Sequence, residues 1–458
     1  MARARVRGSR DRRGSAGSGR GRYAAGVRPW VSLSLLVILA ACGDDGSASL
    51  DAGRGDAGLG EAGLGDGSVA DATTGRDAGP RDVDAGPPPE DLDGFVEWQM
   101  ARGGLPGLAT ALIVDGEVVH EGLYGYADVE AGRAVDAHTL FAVASVSKLF
   151  TGIVALRAWE EGRLDLDADV GETLGFALRH PDHPTAPITA RMLLTHTSGL
   201  RDNWPMLGQT TYEGDPEIDL ETFTRGYALE GGEWFAGPNW GAAPGTAHDY
   251  CNGAFAVAAH LSEAAWGEGF RAASERLAFE PLGFEDTGWW LADVDAGKLA
   301  VPYTWNAARG SFVPLEQTTP AHYPAGGLRA SLHDLERWAR AMLRGGELDG
   351  VRVLEAETVE AMRTLQVPDL STRQGLVMRY EGIGGHGYVG HSGAGIGGSA
   401  NVLLRSDADA ALIVLSNGDA YIRARLGFTE GRDAMDAILE RLDTELEAEL
   451  EAALTTEP

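Results

Sequence analysis

Two lysines, Lys148 and Lys298, stand among the 38 basic residues of this 458-residue chain, and every other cation is an arginine. Where the chain needs only positive charge, it uses arginine. Lys148 therefore asks for a chemical reason, because lysine can give up its proton when buried or crowded and arginine cannot. It lies in Phe141-Ala-Val-Ala-Ser145-Val-Ser147-Lys148-Leu-Phe150, with Ser145 three positions before it. A serine hydroxyl becomes a nucleophile when a base sits beside it. Residues three apart on a helix share one face, so one turn would present Ser145 and Lys148 together. The pattern is short, and a surface lysine near a serine is its ordinary alternative. The apolar setting of Phe141, Val143, Leu149 and Phe150 weighs against that alternative.

Two further segments carry chemistry. Tyr250-Cys251-Asn252 follows Pro244-Gly-Thr and precedes an apolar stretch over 254–261. From a turn, Tyr250 and Asn252 can both face a cleft. A tyrosine there can shuttle protons, and an asparagine amide offers donors and an acceptor to an amide substrate. A plain helix start with Asn252 as its cap is the competing reading. The other segment is Gly390-His391-Ser392-Gly393-Ala394, a strand end rich in glycine, where a ligand or another backbone can come close. His391 taken alone also fits a buried, hydrogen-bonded structural histidine.

The elements that must position these groups are partly readable. Leu92, Phe95, Val96 and Met100 have helical spacing, so order should begin near Asp91. Residues 109–114 and 117–120 around Asp115-Gly116 read as a β-hairpin, with 123–126 extending it. Residues 145–162 read as an apolar helix, 163–320 as a mostly helical region, and 334–343 as an amphipathic helix. Strands are expected again at 389–392, 400–404 and 411–415, and a charged helix at about 430–453. Strands at both ends around a helical middle imply an α/β (α+β) fold: an antiparallel sheet flanked by helices, with a mostly helical subdomain inserted. A cleft between the two is the default place for a site.

The N-terminus reads as an export signal. Nine arginines precede Trp30, an apolar run follows over 31–39, and Leu39-Ala40-Ala41-Cys42 ends it. The run is short for a membrane span. The pattern resembles a bacterial lipoprotein signal, with 1–41 removed and Cys42 lipidated; a plain signal peptide cleaved near Ala41 is the alternative. Residues 42–90 repeat Asp-Ala-Gly units and end in Pro87-Pro88-Pro89, a composition expected to form a disordered acidic tether. The folded domain is assigned to 91–445 and a tail to 446–458. With only Cys42 and Cys251 present, a lipidated chain could form no internal disulfide. The formal charge of −30 argues against a nucleic-acid partner.

Taken in order, these segments resemble the serine β-lactamase and penicillin-binding protein superfamily, in its class C type and D-alanyl-D-alanine carboxypeptidase branch. The resemblance runs through most of 91–440. It includes Ile188–Leu200 with Leu-Thr195-His196-Thr197-Ser198-Gly199, Glu280-Pro281-Leu282-Gly283 and Pro324-Ala325-Gly326-Gly327-Leu328. It implies a β-lactamase/transpeptidase-like fold and an acyl-enzyme on Ser145. Lys148 and Tyr250 would move the protons, and Asn252, His391, Ser392 and Gly393 would meet the substrate. The backbone N–H groups of Ser145 and Ala394 would form the oxyanion hole, and no metal or cofactor is required. One departure matters: class C enzymes begin the third motif with lysine, and His391 stands here. Histidine is only partly charged near neutral pH. Esters, amides and D-amino-acid peptides are therefore the expected substrates, ahead of β-lactams. A lipid-anchored sensor that acylates without turnover is the rival from another class. The implied location is the bacterial cell envelope.

Overall fold

The computed structural model describes residues 86–456. The segments read as an export signal and a tether, with Cys42 and up to residue 85, lie outside the described residues.

One seven-stranded antiparallel sheet organises the chain. Its strands are β1 (Gly107–Val114), β2 (Glu117–Asp128), β3 (Arg133–Ala134), β4 (Arg379–Ile383), β5 (His386–Gly395), β6 (Gly398–Arg405) and β7 (Ala410–Ser416), in the spatial order β4-β5-β6-β7-β1-β2-β3. The sheet is assembled from both ends of the domain: Leu108 of β1 pairs with Ser416 of β7. The β1–β2 turn falls on Asp115-Gly116, both with positive φ (50° and 75°), as a tight hairpin with the strands' own twist requires.

Both faces of the central strands are apolar, so both must be covered. Ala411, Ile413 and Leu415 of β7 enter the larger core, and Ala410, Leu412 and Val414 enter a second one on the opposite face. That second face is covered by the two terminal helices, α1 (Leu92–Gly103) and α5 (Glu430–Thr456), through Val96, Met100, Met435, Ile438 and Leu442. Asp91 caps α1, its carboxylate accepting from the Gly94 N–H at 2.8 Å. The first face is covered by α4 (Leu332–Leu343) over the central strands and α2 (Ser147–Glu160) beside β5; α3 (Asn252–Trp266) packs on α2 rather than on the sheet, and the helical middle of the chain is built around it. Among the described residues no helix is long and apolar enough to cross a membrane.

Three expectations are corrected. The tail assigned to 446–458 is helical to Thr456, and Leu446 is buried under the sheet, because α5 needs that length to cover it. Strand β4 adds to the expected strands: Arg379-Tyr-Glu-Gly-Ile has no clear alternation to mark it. The helix expected at 145–162 begins as a 3-10 turn over Ala144–Val146 and becomes α-helical only at Ser147.

The turn carrying Ser145 is held from two sides. Ser147 Oγ donates to the Ala144 carbonyl (2.6 Å) and accepts the Leu328 N–H (3.0 Å). Thr151 Oγ1 donates to the Pro324 carbonyl at 2.6 Å. These bonds fix the Pro324–Leu328 loop to the start of α2. On the other side, β5 comes so close that a Cβ on Gly393 would sit 2.2 Å from the Val143 carbonyl oxygen. Glycine at 393 is thus a matter of backbone approach. Gly393→Ala should push the turn away from β5, costing about 1–3 kcal/mol as overpacking does. Chemical denaturation should show a lowered midpoint; an unchanged one would mean the contact relaxes freely.

Candidate active site

Ser145 Oγ lies at the wall of a cleft of about 990 Å³ between the sheet and the helical region. Its preceding residue, Ala144, has φ 46°, a left-handed conformation that costs a non-glycine residue about 1–2 kcal/mol. Two groups reach its hydroxyl. Lys148 Nζ is 3.0 Å away and Tyr250 Oη is 2.8 Å away. Lys148 is fully buried. It also donates to Asn252 Oδ1 at 2.6 Å and to the Ala325 carbonyl at 2.7 Å. A buried cation is tolerated only with such compensation. The same arrangement also suits a neutral amine: its two N–H bonds go to the carbonyl oxygens, and its lone pair meets the Ser145 O–H. The site can therefore hold Lys148 in either protonation state, which is what a proton-transfer group needs.

The structure brings the residues expected from sequence into one place. Ser145, Tyr250, Asn252, His391, Ser392, Gly393 and Ala394 all line the cleft. Asn252 is the first residue of α3 and not its cap; the cap is Cys251, whose Sγ accepts from the Ala254 N–H. His391 Nδ1 donates to the Ser392 carbonyl at 2.7 Å, and the ring is almost wholly buried. Ser392 Oγ donates to Glu381 on β4 at 2.6 Å. Register pairing between β4 and β5 ends at Arg379 and Gly390, so His391 to Gly395 face the cleft beyond the last β4 partner. Of the tryptophans in the helical middle, Trp234 and Trp240 are core, and Trp204 lines the cleft.

Four residues at the site are not singled out by the sequence reading. His196, with φ 57°, accepts the Cys251 N–H on Nδ1 at 3.1 Å and lies against the Tyr250 ring, centroids 4.3 Å apart. Burial first, then the Lys148 charge, holds its pKa well below the ordinary histidine value. It is therefore a neutral ring packed behind the phenol. Arg379 places its guanidinium 5.2 Å from the Tyr250 ring and supplies the cleft with a permanent cation near His391. Asp202 accepts from both the backbone N–H (2.7 Å) and the Nδ2 (2.6 Å) of Asn252. His322 lines the cleft, and burial together with the Lys148 charge lowers its pKa to about 3. None of the four repeats at a period or sits in a short motif that isolates it; His196 lies inside a segment that carries the family resemblance.

His322 gives a pH dependence of defined sign. Its folded pKa lies below the unfolded value of 6.5, so the unfolded chain binds the proton more readily. Stability is intact above pH 6.5 and is lost as pH falls toward 3. His322→Asn should lose less stability than the parent between roughly pH 7 and pH 5. Denaturation midpoints at the two pH values check this; parallel losses would show that His322 contributes nothing.

Comparison with known proteins agrees with this geometry. The family model described as Beta-lactamase matches residues 92–428. Esterase EstB of Burkholderia gladioli is 31% identical over 260 residues, 52% of this chain and 64% of the esterase. The D-aminopeptidase of Brucella anthropi is 30% identical over 310 residues, 66% of this chain and 54% of that protein. The alignments thus span less than two thirds of either relative's own length. The octameric penicillin-binding protein homologue from Pyrococcus abyssi superposes with TM-score 0.56 at 25% identity, over 71% of this chain and 72% of its own. The D-amino acid amidase from Ochrobactrum anthropi SV3 shares the fold at 20% identity and TM-score 0.58, over 77% of this chain and 98% of its own. With the Ser145 segment, the Tyr250 turn and the β5 edge all inside the matched span, the chain belongs to the beta-lactamase family.

Proposed function

We propose that this protein is a serine hydrolase that cleaves small esters or amides, D-amino-acid derivatives among them, through an acyl-enzyme on Ser145. The observation that carries the reading is the placement of Lys148 Nζ and Tyr250 Oη at 3.0 and 2.8 Å from one serine hydroxyl in an open cleft. Ser145 Oγ attacks the substrate carbonyl while its proton passes to the Lys148–Tyr250 pair. The tetrahedral oxyanion is met by the backbone N–H groups of Ser145 and Ala394. The proton returns to the leaving alcohol or amine, and water repeats the sequence to free the acid. Asn252, with Lys148 on its oxygen and Asp202 on its nitrogen, forms part of the substrate-facing wall. His391, Ser392 and Gly393 form the opposite wall.

Relatives named as an esterase and a D-aminopeptidase support the ester and D-amino-acid substrates. His391 in place of a lysine argues against efficient β-lactam hydrolysis. A penicillin-binding protein 4 of Amycolatopsis lactamdurans, 27% identical over 302 residues, keeps the non-turnover sensor as the second reading. The reading also includes a lipid anchor on Cys42, resting on Leu39-Ala40-Ala41-Cys42 behind a basic, then apolar, leader. In that case the domain works in the bacterial cell envelope.

Steady-state assays on the domain from Asp91 onward should show multiple turnover of a p-nitrophenyl short-chain ester or a D-amino-acid amide, with a chromogenic cephalosporin turned over poorly. Ser145→Ala should abolish that turnover, by about 10⁴-fold or more. One-to-one labelling without turnover would instead favour the sensor. For the anchor, full-length chain expressed in a bacterium should incorporate labelled palmitate, and Cys42→Ala should not; equal labelling of both would remove the anchor.

A further inference from the structure

Behind the nucleophile lies a second charged group, reached through an amide. Lys148 Nζ donates to Asn252 Oδ1 (2.6 Å), and Asn252 Nδ2 donates to Asp202 Oδ2 (2.6 Å). Asp202 Oδ1 accepts the backbone N–H groups of Asn252 (2.7 Å) and Gly253 (3.2 Å), the exposed donors at the start of α3. The residue keeps some surface, but its carboxylate is deeply enclosed. Burial raises its pKa, and the N–H donors and the Lys148 charge oppose that rise.

An asparagine amide can be turned either way, and a lysine beside it would accept either end at some protonation state. Asp202 removes that freedom. A carboxylate accepts only, so the Asn252 NH₂ must face Asp202 and the Asn252 oxygen must face Lys148. Were the amide reversed, its N–H would compete with the Ser145 O–H for the Lys148 lone pair. We propose that Asp202 is a positioning residue for the reaction: by locking the Asn252 amide, it aims the Lys148 nitrogen at Ser145 and sets its affinity for the proton. This rests on the reading of Ser145 as nucleophile.

The groups that share Asp202's surroundings do not titrate in its place. The Cys251 thiol is pushed well above its ordinary range by burial, then by the Asp202 charge. The Tyr227 phenol is raised by burial and donates to the Arg201 carbonyl at 2.6 Å. Near Lys148, His196 and His322 are both held neutral, burial being the first cause in each. Arg379, a guanidinium, keeps its charge. His391 and Tyr250 also face the Lys148 side of the cleft.

The test is Asp202→Asn, assayed on a p-nitrophenyl ester across pH 5–10, with sites counted by a fluorophosphonate probe. The introduced amide can still accept the two backbone N–H bonds through its oxygen, but its NH₂ now faces Asn252 and reverses that residue's amide. Per labelled site, kcat/KM should fall by about 10²-fold with KM little changed. The limb of the pH profile that reports Lys148 should move to lower pH by on the order of one unit, because a negative charge that favoured the ammonium is gone. A purely structural role would lower the number of labelled sites and leave the limb in place, which would overturn the proposal. If the single variant does not fold, the exchange variant Asp202→Asn/Asn252→Asp carries the test. It restores an acceptor to Lys148 and brings the negative charge closer, so its limb should lie at or above the parent's; a lower limb would overturn the proposal. Ser145→Ala is run beside them: residual turnover there would sink the nucleophile reading itself, whereas an inactive Ser145→Ala with a parental Asp202→Asn profile sinks only the role of Asp202.

Discussion

A lysine with no exposed surface is the constraint on which this site turns. An ammonium in a protein interior is unfavourable by several kcal/mol unless acceptors surround it. Here each acceptor comes from a different part of the chain: Ser145 from the turn before α2, Asn252 from the start of α3, and the Ala325 carbonyl from the loop before α4. The three segments must converge or the lysine is left unsatisfied. The arrangement around Ser145 and the packing of the helical layer are therefore one requirement seen from two sides.

The surrounding bonds follow from it. Ser147 and Thr151 tie the Pro324–Leu328 loop to α2, which keeps the Ala325 oxygen over Lys148. His196 presses on the Tyr250 ring while holding the Cys251 N–H, so the phenol and the start of α3 are located by one imidazole. The sheet edge completes the enclosure. Gly393 and Gly398 let β5 and β6 approach the Val143 and Ala142 carbonyls to distances no side chain would permit.

Much of this is legible in the residues. The rarity of lysine marks Lys148, the Asp115-Gly116 turn between apolar runs marks the hairpin, a continuous apolar run marks β7, and helical spacing marks α1 and α4. The groups that are not legible share a physical trait: their importance comes from what they meet across space. Asp202 sits in an ordinary Arg-Asp-Asn loop, and only the fold shows its carboxylate against Asn252. Arg379 lies in a strand whose polar residues and glycine hide its alternation, because that strand is an edge whose side chains face a cleft. The last turns of α5 are mostly charged, which hides that Leu446, with Leu450 and Ala453 beyond it, packs against the second core.

The pairing of β1 with β7 has a consequence for the order of events during synthesis. Strand β1 is complete by Val114, and its partner ends only at Ser416. About three hundred residues must be made between them. Contacts so distant in sequence form slowly, and the sheet that closes the cleft has no centre until the last strand arrives. The nascent chain thus carries Ser145 and the partners of Lys148 before β5, the sheet edge packed against the turn at Val143, has been made. The sheet wall of the cleft, from His391 to Ile396, is the last part of the proposed acyl-transfer site to be synthesised.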